Sequence, residues 1–188
     1  MVYTQPKTAG FGKKRPEMFE LGLGGKINDQ LAFAKENLGK ELKVMDVLKP
    51  GQLVDAHCLT KAKGFQGPVK RFGVAVRKHK SEKTKRGPGS LGPWCGQGHI
   101  MWRVAHAGRM GHHQRTEYNK WVIKIGEKLE EINPKSGFLN YGVVKNPYLL
   151  VCGSVGGPRK SLVIFTNSIR PRKNIPKEAP VIKTVVKE

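Results

Sequence analysis

Between Lys61 and Arg115 the chain carries 13 Lys/Arg and a single acid, Glu82. Like charges at that density repel one another in any collapsed state, so this stretch restricts the fold more than any other feature. Its second half, SLGPWCGQGHIMWRVAHAGRMGHHQRT (90–116), has apolar residues that follow neither the two-residue period of a strand nor the 3.6-residue period of a helix. Its first half, KAKGFQGPVKRFGVAVRKHKSEKTKRGPG, is broken by glycines and prolines. Disordered segments are poor in aromatics, yet Phe65, Phe72, Trp94 and Trp102 fall here. A structureless loop longer than about 15 residues is uncommon inside a compact domain. The rings need flat surfaces and the cations need phosphates, and RNA presents both. The stretch is therefore expected to fold against nucleic acid and not against protein.

The balance of the whole chain points the same way. Its formal net charge is +21 and its pI about 10.2. Nucleic acid is the default partner of such a surface, through phosphate contacts and counterion release. An anionic membrane would require a basic amphipathic helix, and none is legible. No run of 18 apolar residues occurs, and MVYTQPKTAG lacks the apolar centre of a signal peptide. The three cysteines, Cys58, Cys95 and Cys152, are odd in number and far apart, with no CxxC. That pattern predicts reduced thiols and a cytosolic compartment.

Regular patterning lies on either side of the basic stretch. Residues 1–20 read as a basic, turn-rich arm. Ile27, Leu31, Ala34 and Leu38 recur on one helical face, with Gly39 as a stop signal. A short second helix is expected over ELKVMDVL (41–48), before Pro50. GQLVDAHCLT (51–60) alternates Val54, Ala56 and Cys58 against Asp55 and His57, which predicts a strand with the first set inward. Beyond Thr116, WVIKIGE, FLNYGVV, PYLLVCG and SLVIFT are short β-rich runs separated by turn residues. The tail from Pro171 is basic and reads as extended.

Sites of catalysis are scarce. GLGGKI resembles a phosphate-binding loop, but GxxxxGK[ST] requires Gly at Glu20 and Ser or Thr at Ile27, so it fails twice. His112, His113 and Glu117 lack metal-site spacing and nearby Cys ligands. RNA contact or plain exposure suits the two histidines better. Cys95 and His99 could pair as nucleophile and base, but nothing supplies an oxyanion hole or an orienting acid. No enzyme activity, cofactor or metal is expected. By contrast Lys61, Lys63, Lys70 and Arg71 flank GFQGP, whose glycines let the backbone approach a partner closely. Trp94, after Gly-Pro, is expected to be exposed or packed on RNA. Trp102, in HIMWRVA, could equally pack inward.

TKAKGFQGPVKRFGV, GSLGPW, AGRMGHHQRTEYNK, KIGE, GFLNYG and the pair GSVGGPRK and LVIF occur in that order. Together they closely resemble ribosomal protein three of the large subunit, in its archaeal and eukaryotic form, over roughly residues 15–170. The resemblance implies a mainly β fold with some α: a translation-protein-type β-barrel, incomplete in this chain, with a helical insertion and a long basic extension into RNA. On that layout 1–20 is an arm or the remnant of a barrel strand, 21–50 the insertion and 51–60 a barrel strand. The extension is 61–120, further barrel strands fill 121–170, and 171–188 is a basic tail. The extension tip, Gly92, Pro93 and Trp94, would approach the peptidyl-transferase region. Arg77, Lys78, Lys80, Lys83, Lys85 and Arg86 would contact ribosomal RNA on the way to the tip. Trp102, Arg103, Arg109, His112, His113, Gln114 and Arg115 would do so on the return, as would Lys61, Lys63, Lys70 and Arg71 at the base.

The implied role is structural: an early-assembling constituent of the large subunit in the cytoplasm, partnered by ribosomal RNA and neighbouring ribosomal proteins. The runner-up is an RNA-binding assembly factor or RNA chaperone that leaves mature subunits. Family members of this type are longer, with barrel strands ahead of the point where this sequence starts. Either a second polypeptide supplying an N-terminal half or a truncated chain is therefore expected as well.

Overall fold

The structure is a computed structural model that describes residues 1–81, 83–92, 98–176 and 178–186. It is mostly sheet with few helices. The chain divides into two compact units, one of Met1–Cys58 with Thr116–Glu188, the other of Leu59–Arg115.

At the start of the first unit, β1 (Val2–Tyr3) pairs antiparallel with β2 (Met18–Phe19). The loop between them is tied down: Asn146 Nδ2 donates to Thr8 Oγ1 at 3.0 Å, and the Phe11 and Tyr141 rings lie 5.8 Å apart. The helix that the periodicity predicts is α1 (Ile27–Glu36). Asp29 in its first turn and Lys35 in its last complement the helix dipole. Asn37 closes it by donating from both its backbone and its side chain to the Phe33 carbonyl, at 3.1 and 2.9 Å. Its apolar face does not meet a core, however. Ile27 is 81% exposed, and Leu31 and Leu38 also face solvent. The second helix is α2 (Val44–Val47), shorter than the run 41–48, because Leu48 is already extended ahead of Pro50.

The remaining elements are β3 (Leu53–Leu59), β4 (Phe65–Gln66), α3 (Pro68–Phe72), β5 (Gly108–Arg109), β6 (Gln114–Gly126), β7 (Tyr148–Val151) and β8 (Val163–Asn167). Four of them form one sheet in the order β7-β6-β3-β8. β3 pairs antiparallel with β8 from Val54↔Asn167 to Cys58↔Val163. β6 pairs antiparallel with β7, with a register shift between Val122 and Lys124. No ladder joins β7 to β8 among the described residues, so the sheet is open there. WVIKIGE, PYLLVCG and SLVIFT thus supply strands. FLNYGVV does not: Phe138 and Gly142 meet in a single bridge that closes a turn. Asn140 at φ 59° and Gly142 at φ 99° bend the chain back within it.

The core is small. Val54, Ala56 and Cys58 point inward from β3 as the alternation predicts, beside Leu48 and Val122. Ile125, Leu149, Val151 and Phe165 pack against Leu48, Val54 and Val122. One residue breaks the alternation: Asp55 is fully buried. Its two oxygens accept the backbone N–H groups of Asn119 at 2.8 Å and Ile169 at 3.0 Å. Burial pushes this carboxyl up, but the Asn119 and Ile169 amides, the Ser168 hydroxyl and nearby His57 outweigh it, and its pKa falls below the ordinary value. A satisfied carboxylate is compatible with a core where a bare one is not. His57, half-buried, bonds Thr116 Oγ1 at 2.9 Å and Thr166 Oγ1 at 3.0 Å through its two ring nitrogens. Among the described residues, no helix is long and apolar enough to cross a membrane.

Candidate nucleic-acid interface

The Leu59–Arg115 unit begins as a backbone ladder. Thr60 N–H donates to the His113 carbonyl at 3.0 Å, and His112 N–H returns to the Thr60 carbonyl at 3.1 Å. Further along, Lys63 N–H donates to the Met110 carbonyl and Met110 N–H to the Gly64 carbonyl, each at 2.9 Å. The β4–β5 pair, Phe65↔Arg109 and Gln66↔Gly108, completes it. Gly111 is required in this ladder. It sits at φ +74°, and a Cβ there would lie 1.8 Å from the Lys61 carbonyl oxygen. Pro68 opens α3 and Gly73 closes it in a left-handed turn. From there to β5 the described residues hold neither helix nor strand, in keeping with the missing periodicity.

The ladder brings the cations at the base together. Lys61 and Lys63 lie on one side, and Arg109, His112 and His113 on the other. Arg109 Nη2 and His113 Nδ1 are 3.3 Å apart. Arg77 N–H donates to the Lys85 carbonyl at 3.1 Å, which closes a small loop carrying Lys78, Lys80 and Lys83. All of these side chains except His113 are exposed, as are Lys70, Lys85, Arg86, Arg103, Gln114 and Arg115. Arg71 is different. It is half-buried, and its Nη1 donates to the His106 carbonyl at 2.9 Å, which ties one of its donors to the unit's own backbone. Arg115 donates back to the Gln114 carbonyl.

The other unit holds the ion pairs Lys13–Glu17, Lys120–Glu117 and Lys124–Glu131. In the last of these the Glu131 hydrogen bond holds the Lys124 ammonium above its ordinary pKa, and Lys124 holds the Glu131 carboxyl below its own. Among the described residues, Lys61, Lys63, Lys70, Lys78, Lys80, Lys83 and Lys85 make no ion pair.

The aromatic rings are equally uncovered. Trp102, which the sequence leaves open between core and surface, is 86% exposed, with the Arg103 guanidinium 5.6 Å from its ring centre. Phe72 is exposed beside Arg71, whose guanidinium lies 5.0 Å from that ring. Phe65 is exposed too. These two phenylalanines add exposed rings to the candidate interface, although charge alone does not single them out. Their signal is an aromatic ring next to glycine in a basic stretch. Of the expected tip, Gly92 is exposed. Pro93 and Trp94, like Cys95, lie outside the described residues.

Exposed cations, interleaved with exposed rings on a self-bonded backbone, define a class: an electropositive module attached to a β-sheet body. Comparison with known proteins then gives the family. The chain belongs to the family described as Ribosomal protein L3, whose model matches residues 1–187. The large ribosomal subunit protein uL3 of Methanococcus aeolicus is 51% identical over 173 residues, which is 90% of this chain and 52% of that protein. The uL3 of Methanocaldococcus jannaschii is 47% identical over 193 residues, 100% of this chain and 57% of the relative. That of Methanopyrus kandleri is 44% identical over 185 residues, covering 97% and 51%. The chain spans about half the length of these curated relatives. The comparisons lend no support to a second polypeptide.

Proposed function

We propose that the chain is a non-catalytic structural constituent of the large ribosomal subunit in the cytoplasm, where it binds large-subunit ribosomal RNA beside neighbouring ribosomal proteins. The observation that carries this reading is the Leu59–Arg115 unit, whose exposed lysines make no ion pair among the described residues. Family membership supports it. In finer detail, the open sheet is part of a translation-type barrel, and the basic unit is its RNA-penetrating extension, engaged early in assembly. The tip at Gly92, Pro93 and Trp94 lies near the peptidyl-transferase centre. The RNA contacts are Lys61, Lys63, Lys70, Arg77, Lys78, Lys80, Lys83, Lys85, Arg86, Trp102, Arg103, Arg109, His112, His113, Gln114 and Arg115. Arg71 adds charge while holding the unit together.

The test is co-sedimentation of the native protein with large subunits through a high-salt gradient. One copy per mature subunit is expected. Retention on precursors alone would replace this reading by the assembly-factor one. Trp94→Ala should leave incorporation intact and change sensitivity to drugs acting near the catalytic RNA. An unaltered drug response would remove the tip from that neighbourhood.

A further inference from the structure

A groove of about 770 Å³ lies in the first unit, between the start of β3, the end of β8 and the tail after Pro171. That volume suits a nucleotide-sized ligand. Its rim carries Lys49, Arg172 and Lys173, and no carboxylate lines it among the described residues. Val47, Leu53 and Ile175 supply an apolar wall. Two amides, Gln52 and Asn167, also line the groove. Gln52 Nε2 donates to Asn167 Oδ1 at 2.7 Å, and Gln52 Oε1 accepts the Lys49 N–H at 3.2 Å. Each amide oxygen thus holds one partner and keeps one lone pair, while one Gln52 N–H and both Asn167 side-chain N–H groups have no hydrogen bond among the described residues, so three donors stand against two acceptor sites.

We infer that this groove is a second RNA subsite, separate from the Leu59–Arg115 unit, that takes one unpaired nucleotide and prefers a base with a carbonyl edge. The phosphate lies among Lys49, Arg172 and Lys173, and the base rests on the apolar wall with its oxygen toward Gln52 and Asn167. An acidic peptide would use the cations but leave the amide donors and the apolar wall unmatched. An unpaired nucleotide engages all three features. Uracil and guanine offer carbonyl oxygens, whereas adenine offers an amino donor at that edge. The inference rests on the proposed reading of the chain as an RNA-binding protein.

The test is ultraviolet cross-linking of the full chain to a uridine hexamer, with adducts mapped by mass spectrometry. An adduct on the peptide around Arg172–Pro176 is expected, beside adducts within 59–115. The triple change Lys49→Ala, Arg172→Ala and Lys173→Ala should lower the tail adduct at least tenfold and leave the others in place. These rim side chains are exposed, and Asn167→Ala provides a milder variant that keeps the charge. Unlabelled oligouridine added before irradiation should suppress the tail adduct at several-fold lower concentration than oligoadenosine, and Asn167→Ala should abolish that difference. A missing tail adduct with those in 59–115 intact overturns the groove alone. Loss of every adduct overturns the RNA-binding reading too. Suppression by polyglutamate as readily as by oligouridine overturns the nucleotide as occupant.

Discussion

The two units treat charge in opposite ways. Outside Leu59–Arg115 the chain holds 22 Lys/Arg against 13 acids, and all three ion pairs described lie there. Within Leu59–Arg115 it holds 13 against one. The first unit also holds the buried core of Leu48, Val54, Ala56, Cys58 and Val122, and its buried Asp55 carboxylate is satisfied by hydrogen bonds. The second has bare rings and a ladder of backbone bonds. A sheet with a small core can stand on its own interactions. A cationic module held by few backbone bonds gains most of its order from whatever neutralises it. Substitutions in the first unit should therefore be read out as stability, and those in the second as affinity.

The largest effect is expected from Asp55→Ala. It strands the N–H groups of Asn119 and Ile169, whose bonds to the carboxylate join β3 to β6 and to the end of β8. The loss should be about 3 kcal/mol, or on the order of 10 °C in thermal midpoint. The same carboxylate makes stability depend on pH. Its folded pKa lies below the unfolded value, so the unfolded chain binds the proton more readily. Its stabilisation is complete above the unfolded value and is lost as pH falls through the folded one. A midpoint in Asp55→Ala that falls as steeply with acid as in the parent would assign the acid sensitivity elsewhere.

Gly111→Ala is the counterpart in the second unit and should cost about 2 kcal/mol locally, because the new Cβ collides with the Lys61 carbonyl from a left-handed backbone. Hydrogen exchange should show Lys63, Met110 and His112 losing protection while the β3–β8 ladder keeps its own. Equal loss in both places would mean that the two units unfold as one.

Next comes Lys61→Ala with Lys63→Ala and Lys70→Ala. The thermal midpoint should stay within about 2 °C of the parent, since none of the three makes an ion pair among the described residues. The slope of log affinity for RNA against log salt should fall by about two. A drop in midpoint with an unchanged slope would make these lysines structural and erase the contrast between the units.

Much of the sheet body is legible in the sequence, because β3, β7 and β8 are short runs of β-branched and apolar residues set off by turn residues. Asp55 is not. Alternation assigns a carboxylate to the outer face, and its partners lie 64 and 114 residues away. The helical period finds α1 but cannot say what its apolar face meets, since an amphipathic stripe specifies a surface and not its neighbour. In the interface, charge density finds the exposed lysines and arginines at once. It cannot separate Arg71, whose bond to the His106 carbonyl spans 35 residues, from Lys70 beside it. Composition also directs attention away from the groove at Lys49 and Arg172, where the donors that matter are uncharged amides.

The smallest effect divides the units most sharply. Trp102 is almost wholly exposed and touches the guanidinium of its neighbour Arg103. In a unit stabilised by its own core, such a ring would be irrelevant to folding and binding alike. In a unit completed by RNA, it is a stacking platform whose cation already has an aromatic face to rest on. Trp102→Ala should therefore leave stability within about 0.5 kcal/mol and weaken binding to single-stranded ribosomal RNA segments by about 1 kcal/mol, roughly fivefold. Trp102→Phe should restore most of that loss. The salt slope should stay at the parent value, because stacking displaces no counterions. A lower slope would reassign the effect to a displaced Arg103, and unchanged affinity would leave Trp102 outside the interface while the lysines of the same unit stay within it.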